Sequence, residues 1–141
     1  MKTYKAILID PIAREVSEVL IPSTGTLEAI YKFLDCSCFT IAAHLENQDA
    51  IFVDDEGLLK DPEHFFVTTH YPQPLAGKAL IMGTDDEGET KDVGTAPTFD
   101  VLWLNRNEIR LFMESEQKIV DKMRKHGPKN AIYTTMKEAL E

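Results

Sequence analysis

Short apolar runs, each stopped within a few residues by proline, glycine or acidic residues, fill the first part of this chain. The runs at residues 5–9 and 15–21 end at Asp10-Pro11 and at Pro22, and this pattern predicts an opening β-hairpin. Further runs with the same kind of boundary occupy residues 50–53, 64–69 and 78–82. The sequence therefore predicts a meander of short strands.

After the hairpin, apolar residues recur every three or four positions, which predicts a short amphipathic helix at residues 26–34. Its apolar positions are Leu27, Ile30, Tyr31 and Leu34. From residue 38 to residue 45 the period is two, as in a strand with one apolar face. That face holds Phe39, Ile41, Ala43 and Leu45. The helix is expected to cover one face of the sheet that these strands form.

The pattern changes again near residue 105. Asn105 and Glu108 have the spacing of a capping box, so a long helix is expected to begin there. Its apolar stripe would consist of Ile109, Phe112, Ile119 and Met123, and a last short helix would present Ile132, Met136 and Leu140. We therefore expect the α+β class, with an antiparallel or mixed sheet and one short covering helix at residues 1–104. A helical C-terminal segment at residues 105–141 would pack on it within a single domain.

The predicted C-terminal helices have more apolar surface than one stripe can bury, because Leu111, Phe112 and Met113 follow one another. We expect some of this surface to meet another chain, and a homodimer through these helices is the commonest arrangement of that kind. The alternative is a monomer in which the final helix folds back and covers the long one.

Charge is divided unevenly along a chain whose formal net charge is −9. Residues 1–104 hold 18 acidic residues against 7 basic ones, whereas residues 105–141 hold 6 against 8. An acidic surface repels phosphate backbones, so direct nucleic-acid binding is not expected, and it attracts basic protein partners. Solubility alone also explains a charge of this sign.

Hydropathy and cysteine content indicate where the chain resides. It has no run of about 20 apolar residues that could cross a bilayer, and residues 1–9 are too short for a secretory signal. Its two cysteines, Cys36 and Cys38, are too few and too close together for a disulfide framework. We therefore expect a cytoplasmic protein that makes no contact with the membrane.

One eight-residue pattern, D-D-E-G-x-x-K-D, occurs twice, at residues 54–61 and 85–92. Acidic residues followed by glycine are typical of tight turns, which explains both copies without a ligand. A basic partner could instead bind the acidic side chains. The candidate partner-binding residues are then Asp54, Asp55, Glu56, Asp85, Asp86 and Glu87. The spacing does not match that of a calcium-binding loop.

Metal-binding and catalytic arrangements fail on spacing. Cys38 and His44 are six residues apart on one predicted strand, which is about 20 Å and too far for a shared metal. The same distance separates His64 from His70 if they share a strand. The serines lack the sequence context of a hydrolase nucleophile. We therefore expect no catalytic residue, no metal and no cofactor.

Recognisable short motifs lie at residues 5–6 with 9–11, at 30–31, at 53–60 and at 74–83. Together they resemble a family of small uncharacterised proteins carried by phages, plasmids and the bacteria that host them. The resemblance covers roughly residues 5–90, and its motifs are turns and apolar strands. It implies an accessory role in a mobile element, without catalytic residues and without a named target.

The sequence leaves two functions open. The first is a non-enzymatic binding or regulatory protein of a mobile element that acts on a host protein. The second is a small enzyme or ligand-binding domain for a nucleotide-like metabolite, with carboxylates as acid and base. The lack of a complete catalytic motif favours the first. Strongly perturbed acidic groups or histidines clustered in a closed pocket would favour the second.

Overall fold

The computed structural model of the protein describes residues 2–87, 89–109 and 111. These residues form nine β-strands, one complete α-helix and one short 3₁₀ helix. The strands are β1 (Thr3–Asp10), β2 (Glu15–Pro22), β3 (Phe39–His44), β4 (Asp49–Asp54), β5 (His64–Thr68), β6 (Tyr71–Ala76), β7 (Ala79–Thr84), β8 (Thr90–Lys91) and β9 (Val101–Asn105). The helix α1 spans Thr26–Leu34, and the 3₁₀ helix spans Gly57–Lys60.

The larger sheet has the strand order β2-β1-β7-β4-β3, and all its pairings are antiparallel. The strand β7 is central, because its Ile81 lies opposite Ile7 of β1 on one side and Ile51 of β4 on the other. The short strand β8 pairs with the end of β7, beyond the last pair that β1 forms with it. Strands distant in sequence therefore lie side by side, and the expected simple meander is not found.

The smaller sheet, with the order β6-β5-β9, packs on one face of the larger sheet, and α1 packs on the other. The core between the two sheets is formed by Ile7, Ile9, Ile51, Val53, Phe66, Ala79 and Ile81. The core beneath α1 is formed by Ala6, Ile21, Ile30, Leu34, Ala50, Phe52, Leu80 and Met82. Successive side chains of a strand point to opposite faces, so β1, β4 and β7 contribute to both cores and are apolar on both sides.

The predicted α+β class with a helical C-terminal segment is wrong. Antiparallel strands make up about half of the described part of the chain, far more than its helices, and the fold is β-rich. The strand β6 was not expected, because it contains Pro72 and Pro74, which are typical strand boundaries. Proline is tolerated in β6 because this strand lies at the edge of its sheet, where one side needs no ladder hydrogen bonds.

The helix at residues 26–34 and the opening hairpin lie where the sequence places them. The predicted single apolar face of the strand at residues 38–45 is wrong, however. The pairing of β3 with β4 shifts register between Ile41 and Ala43, as at a β-bulge. Phe39 therefore packs in the core beneath α1, whereas Ala43 and Leu45 pack between the two sheets.

The capping box predicted at the end of the strand region is confirmed. The Glu108 backbone N–H donates to Asn105 Oδ1 at 2.9 Å, and the Asn105 backbone N–H donates to Glu108 Oε1 at 3.0 Å. Residues 106–109 are helical. The rest of the predicted C-terminal helices, and the homodimer they would form, lie outside the described residues, so the division at residue 105 remains a prediction.

Within the described part of the chain, no helix has both the length and the apolar character needed to span a membrane.

Candidate functional site

A cleft of about 750 Å³ opens at one end of the two sheets, where three loops come together. The loops are the β3–β4 hairpin turn, the β5–β6 turn and the segment that precedes β9. The cleft is lined by His44, Leu45, Glu46, Asn47, Thr69, His70, Thr95, Ala96, Thr98, Phe99 and Asp100. Loops held by a rigid sheet are a common position for binding residues. We call this end of the molecule the cleft end.

A fully buried carboxylate, Asp49, joins two of these loops. Asp49 Oδ1 accepts the Gly94 backbone N–H at 3.0 Å, and Oδ2 accepts the Thr95 backbone N–H at 2.8 Å. The Thr95 hydroxyl and Asn47 Nδ2 also donate to Oδ2, the latter at 3.1 Å. Burying a charge is unfavourable unless hydrogen bonds of this kind replace water. Asp49 therefore holds the segment around Thr95 against the β3–β4 hairpin.

The hairpin turn itself adopts an uncommon backbone conformation at Gln48, whose φ is 72°. The Thr84 hydroxyl donates to the Gln48 backbone carbonyl oxygen at 2.7 Å, and the side-chain amide of Gln48 donates to Asp86. Residues other than glycine and asparagine rarely adopt a positive φ. The contacts with Thr84 and Asp86 fix this conformation and connect the hairpin to the end of β7.

An aromatic pair forms one wall of the cleft. The His70 ring contacts the Phe99 ring nearly edge-on, with 5.0 Å between centroids. Partial burial lowers the pKa of His70 from its ordinary value, although the charge of Asp49 acts in the opposite direction. Partial burial thus favours the neutral form of the His70 ring. Beside it, the enclosed Thr69 hydroxyl has no hydrogen-bond partner among the described residues.

The charged residues that line the cleft are both acidic. Glu46 comes from the β3–β4 turn and Asp100 from the segment before β9. None of the described lining residues is a lysine or an arginine. The cleft therefore provides acceptors for a cation and no fixed positive charge for a phosphate.

The six acidic residues predicted to bind a partner lie in two separate turns. One turn follows β4 and the other follows β7, and because these strands are antiparallel the turns lie at opposite ends of the larger sheet. Five residues of strand, about 17 Å, separate the two ends of β4. The two turns thus do not form one patch, and their binding of a partner remains a prediction.

In each turn one of the acidic side chains forms hydrogen bonds or an ion pair with residues of the same turn. Asp54 accepts the Glu56 backbone N–H at 2.9 Å and forms a 2.7 Å ion pair with Lys60. Asp85 accepts the backbone N–H groups of Glu87 and Glu89, each at 2.9 Å. Among the candidates, Asp86 contacts the hairpin of the cleft end through Gln48. The other turn lies at the opposite end of the larger sheet.

The cysteines lie just before β3, at the opposite end of that strand from His44. Burial raises the pKa of the Cys36 thiol, and the charge of Asp54 adds to the effect, while Lys60 opposes it. No group of three or more metal-ligating side chains is present in residues 2–87, 89–109 and 111.

No sequence motif joins the lining residues of the cleft. His44 and His70 lie in different strand regions, and Glu46 and Asp100 belong to no motif. They meet because β3, β5 and β9 end or begin at the same end of the molecule. The polar run from Glu46 to Asp49 between two apolar strands was the one signal available, and it indicates a turn as readily as a site.

The model of a family described as a domain of unknown function, DUF3846, matches residues 1–98. The chain belongs to this family. The DUF3846 match includes Asp49 and the segment that this carboxylate holds, and it ends just before Phe99. The expected membership of a family of unknown function is therefore confirmed.

One curated relative is described as the uncharacterized protein y4iR of Sinorhizobium fredii (strain NBRC 101917 / NGR234). It is 32% identical over 80 residues, which are 57% of this chain and 49% of the relative. The chain thus spans about half the length of the curated relative it matches. No solved structure matches the chain.

Proposed function

We propose that this member of DUF3846 is a non-enzymatic binding protein that recognises a host protein through its cleft end. The observation that supports this function most directly is the acidic cleft, with the carboxylates of Glu46 and Asp100 and no basic residue among its described lining residues. Surfaces of one sign attract partners of the opposite sign and increase the rate of encounter. The partner is therefore expected to present a basic surface.

The way the cleft is built supports binding by a preformed site. Asp49 fixes the segment at Gly94 and Thr95 against the β3–β4 hairpin. The pairing of β3 with β4 in turn holds the hairpin in place. A loop that is already ordered loses little conformational entropy when a partner binds. The resemblance of the sequence motifs to proteins of phages and plasmids adds the proposal that this chain is a cytoplasmic accessory protein of a mobile element.

Capture of the partner from a host lysate tests the function. The full chain, carrying an affinity tag, is compared with Glu46→Lys/Asp100→Lys by mass spectrometry of the captured proteins. A basic partner is expected to be enriched on the wild-type chain and reduced at least tenfold on the cleft variant. Glu15→Lys/Glu18→Lys is the matched control, because it makes the same charge change on the exposed edge strand β2.

The same experiment tests the acidic turns separately. Asp55→Lys/Glu56→Lys and Asp86→Lys/Glu87→Lys change one turn each. Loss of the partner with a turn variant but not with the cleft variant would move the binding site to that turn. Equal capture by all variants would contradict recognition through the cleft end.

The second candidate function is a binding domain for a nucleotide-like metabolite. The observation that favours it is the aromatic wall of His70 and Phe99 in a cleft of about 750 Å³, a size typical of small-molecule sites. The acidic lining is unfavourable for a phosphate, so a nucleoside would fit better than a nucleotide. Calorimetric titration with adenosine and with AMP tests this function, and tighter binding of AMP would show that the lining charges do not control the site.

A further inference from the structure

We infer that the group bound in the cleft is the guanidinium of an arginine side chain presented by the protein partner. This inference deepens the proposed function and rests on it. It makes the cleft a site for one cationic side chain, with Glu46 and Asp100 as its acceptors and the wall of His70 and Phe99 as its packing surface.

The charged groups in the lining of the cleft are hydrogen-bond acceptors, and nearby backbone N–H groups are already occupied. The backbone N–H groups of Gly94 and Thr95 are already bonded to Asp49 and are not available to a ligand. The charged groups that face the cleft are the carboxylates of Glu46 and Asp100, which are acceptors only. These two carboxylates are best matched by a ligand that supplies N–H donors and positive charge.

The shape of the lining favours arginine over lysine. Glu46 and Asp100 come from different loops, and a guanidinium has five N–H donors in a planar fork that can reach more than one acceptor. Its plane also packs on aromatic rings, which Phe99 and His70 provide. The methylene groups can lie along Leu45 and Ala96, which also line the cleft.

Two further groups are consistent with a donor-rich ligand. Thr69 lines the cleft, but its hydroxyl is enclosed and unpartnered among the described residues, and it could accept a guanidinium N–H only after the side chain rotates into the cleft. Burial lowers the pKa of His70, which favours the neutral ring that does not repel a cation. Neither group carries a positive charge that would compensate the charge of a phosphate.

The test is an NMR titration of the full, ¹⁵N-labelled chain with three small probes. N-acetylarginine amide is compared with N-acetylcitrulline amide, which has nearly the same shape without the charge, and with N-acetyllysine amide. The arginine probe is expected to shift the backbone amide signals of Gly94 and Thr95 and to bind roughly tenfold tighter than the citrulline probe. Its affinity should fall as salt is raised. Equal affinity for the arginine and citrulline probes would overturn the inference, and so would stronger binding of the lysine probe.

A pair of variants distinguishes a specific site from general attraction by an acidic protein. Glu46→Gln/Asp100→Asn is expected to weaken the arginine probe roughly tenfold. Glu15→Gln/Glu18→Gln removes the same two charges from exposed positions of β2 and should change the affinity less than twofold. Equal weakening by both variants would mean that net charge alone attracts the probe, and the inference would be wrong. The amide spectrum of each variant checks that it is folded.

Failure of this inference can be told apart from failure of the proposed function. If the arginine probe does not bind but capture of the host protein still depends on Glu46 and Asp100, only the arginine assignment is wrong. If the probe binds in the cleft but no captured protein depends on these residues, the preference of the cleft for a guanidinium stands, whereas the proposed function and the assignment to a protein partner fail.

Discussion

The two ends of the larger sheet each hold one copy of the same eight-residue pattern, and they use it differently. In both copies the first aspartate, Asp54 or Asp85, accepts the backbone N–H two residues later at 2.9 Å. The first turn of both copies is therefore set by the same local hydrogen bond, which is typical of aspartate in turns. The residues that follow have different structures.

After β4 the chain forms the 3₁₀ helix, and Lys60 returns to pair with Asp54. After β7 it reverses into β8, which pairs Thr90 with Thr84 and Lys91 with Gly83. The neighbouring strand decides between these outcomes. The pairing of β1 with β7 ends at Ile81, which leaves the edge of β7 beyond it open for β8. The comparison shows that a short sequence determines a turn but not the structure that follows it.

The largest expected difference between the two ends concerns the two carboxylates of β4. Asp49→Ala should lower the free energy of unfolding by about 3 kcal/mol, because the N–H groups of Gly94 and Thr95 lose their buried acceptor. Asp54→Ala should cost much less, since its partner Lys60 is largely exposed and the ion pair is screened by water. Urea unfolding followed by the fluorescence of Trp103 measures both.

Equal losses for Asp49→Ala and Asp54→Ala would mean that the cleft end is no more rigid than the opposite end. Asp49→Asn sharpens the comparison, because it keeps one carbonyl acceptor for the segment at Gly94. It is expected to fall between wild type and Asp49→Ala.

The next effect concerns glycines at the two ends. A Cβ at Gly83 would lie 2.9 Å from the Lys91 carbonyl oxygen and still closer to that of Asp92, so Gly83→Ala should push β8 away from β7. We expect a loss of about 2 kcal/mol in the free energy of unfolding. At Gly57, in the first copy of the pattern, the nearest atom would be 3.5 Å away, and Gly57→Ala should change stability by less than about 0.5 kcal/mol. Thermal unfolding followed by circular dichroism compares them, and similar midpoints would show that β8 has no tight contact with β7.

The smallest effect is a pH dependence located at the cleft end. Burial lowers the pKa of His70 in the folded protein, although the charge of Asp49 acts in the opposite direction. The His70 ring therefore binds a proton more readily in the unfolded chain than in the folded protein. Stability is therefore expected to fall as the pH decreases from about 6.5 through the folded-state pKa. His70→Gln should reduce this loss. His64→Gln is the control, because His64 begins β5, at the opposite end of that strand from the cleft. Urea unfolding between pH 7.5 and 5 provides the measurement, and an unchanged slope in His70→Gln would contradict the prediction.

Much of the local structure could be predicted because its causes lie within a few residues. The opening hairpin follows from apolar runs ended by proline, α1 follows from its period, and the Asn105–Glu108 capping box follows from spacing alone. The strand β6 could not be found in this way. A proline excludes a central strand but not an edge strand, and whether a strand lies at an edge is known only once the sheet is assembled.

The sequence by itself determined the turns, the strand positions on either side of them, the short helix and the acidic character of the chain. The tertiary structure decided that β7 lies between β1 and β4, that a second sheet covers the first, and that β3 has a bulge that divides its apolar residues between two cores. It also brought Glu46, His70 and Asp100 into one cleft. The physical reason is that turns and periods depend on neighbours in the chain, whereas strand order depends on which apolar faces bury each other best across long separations in sequence.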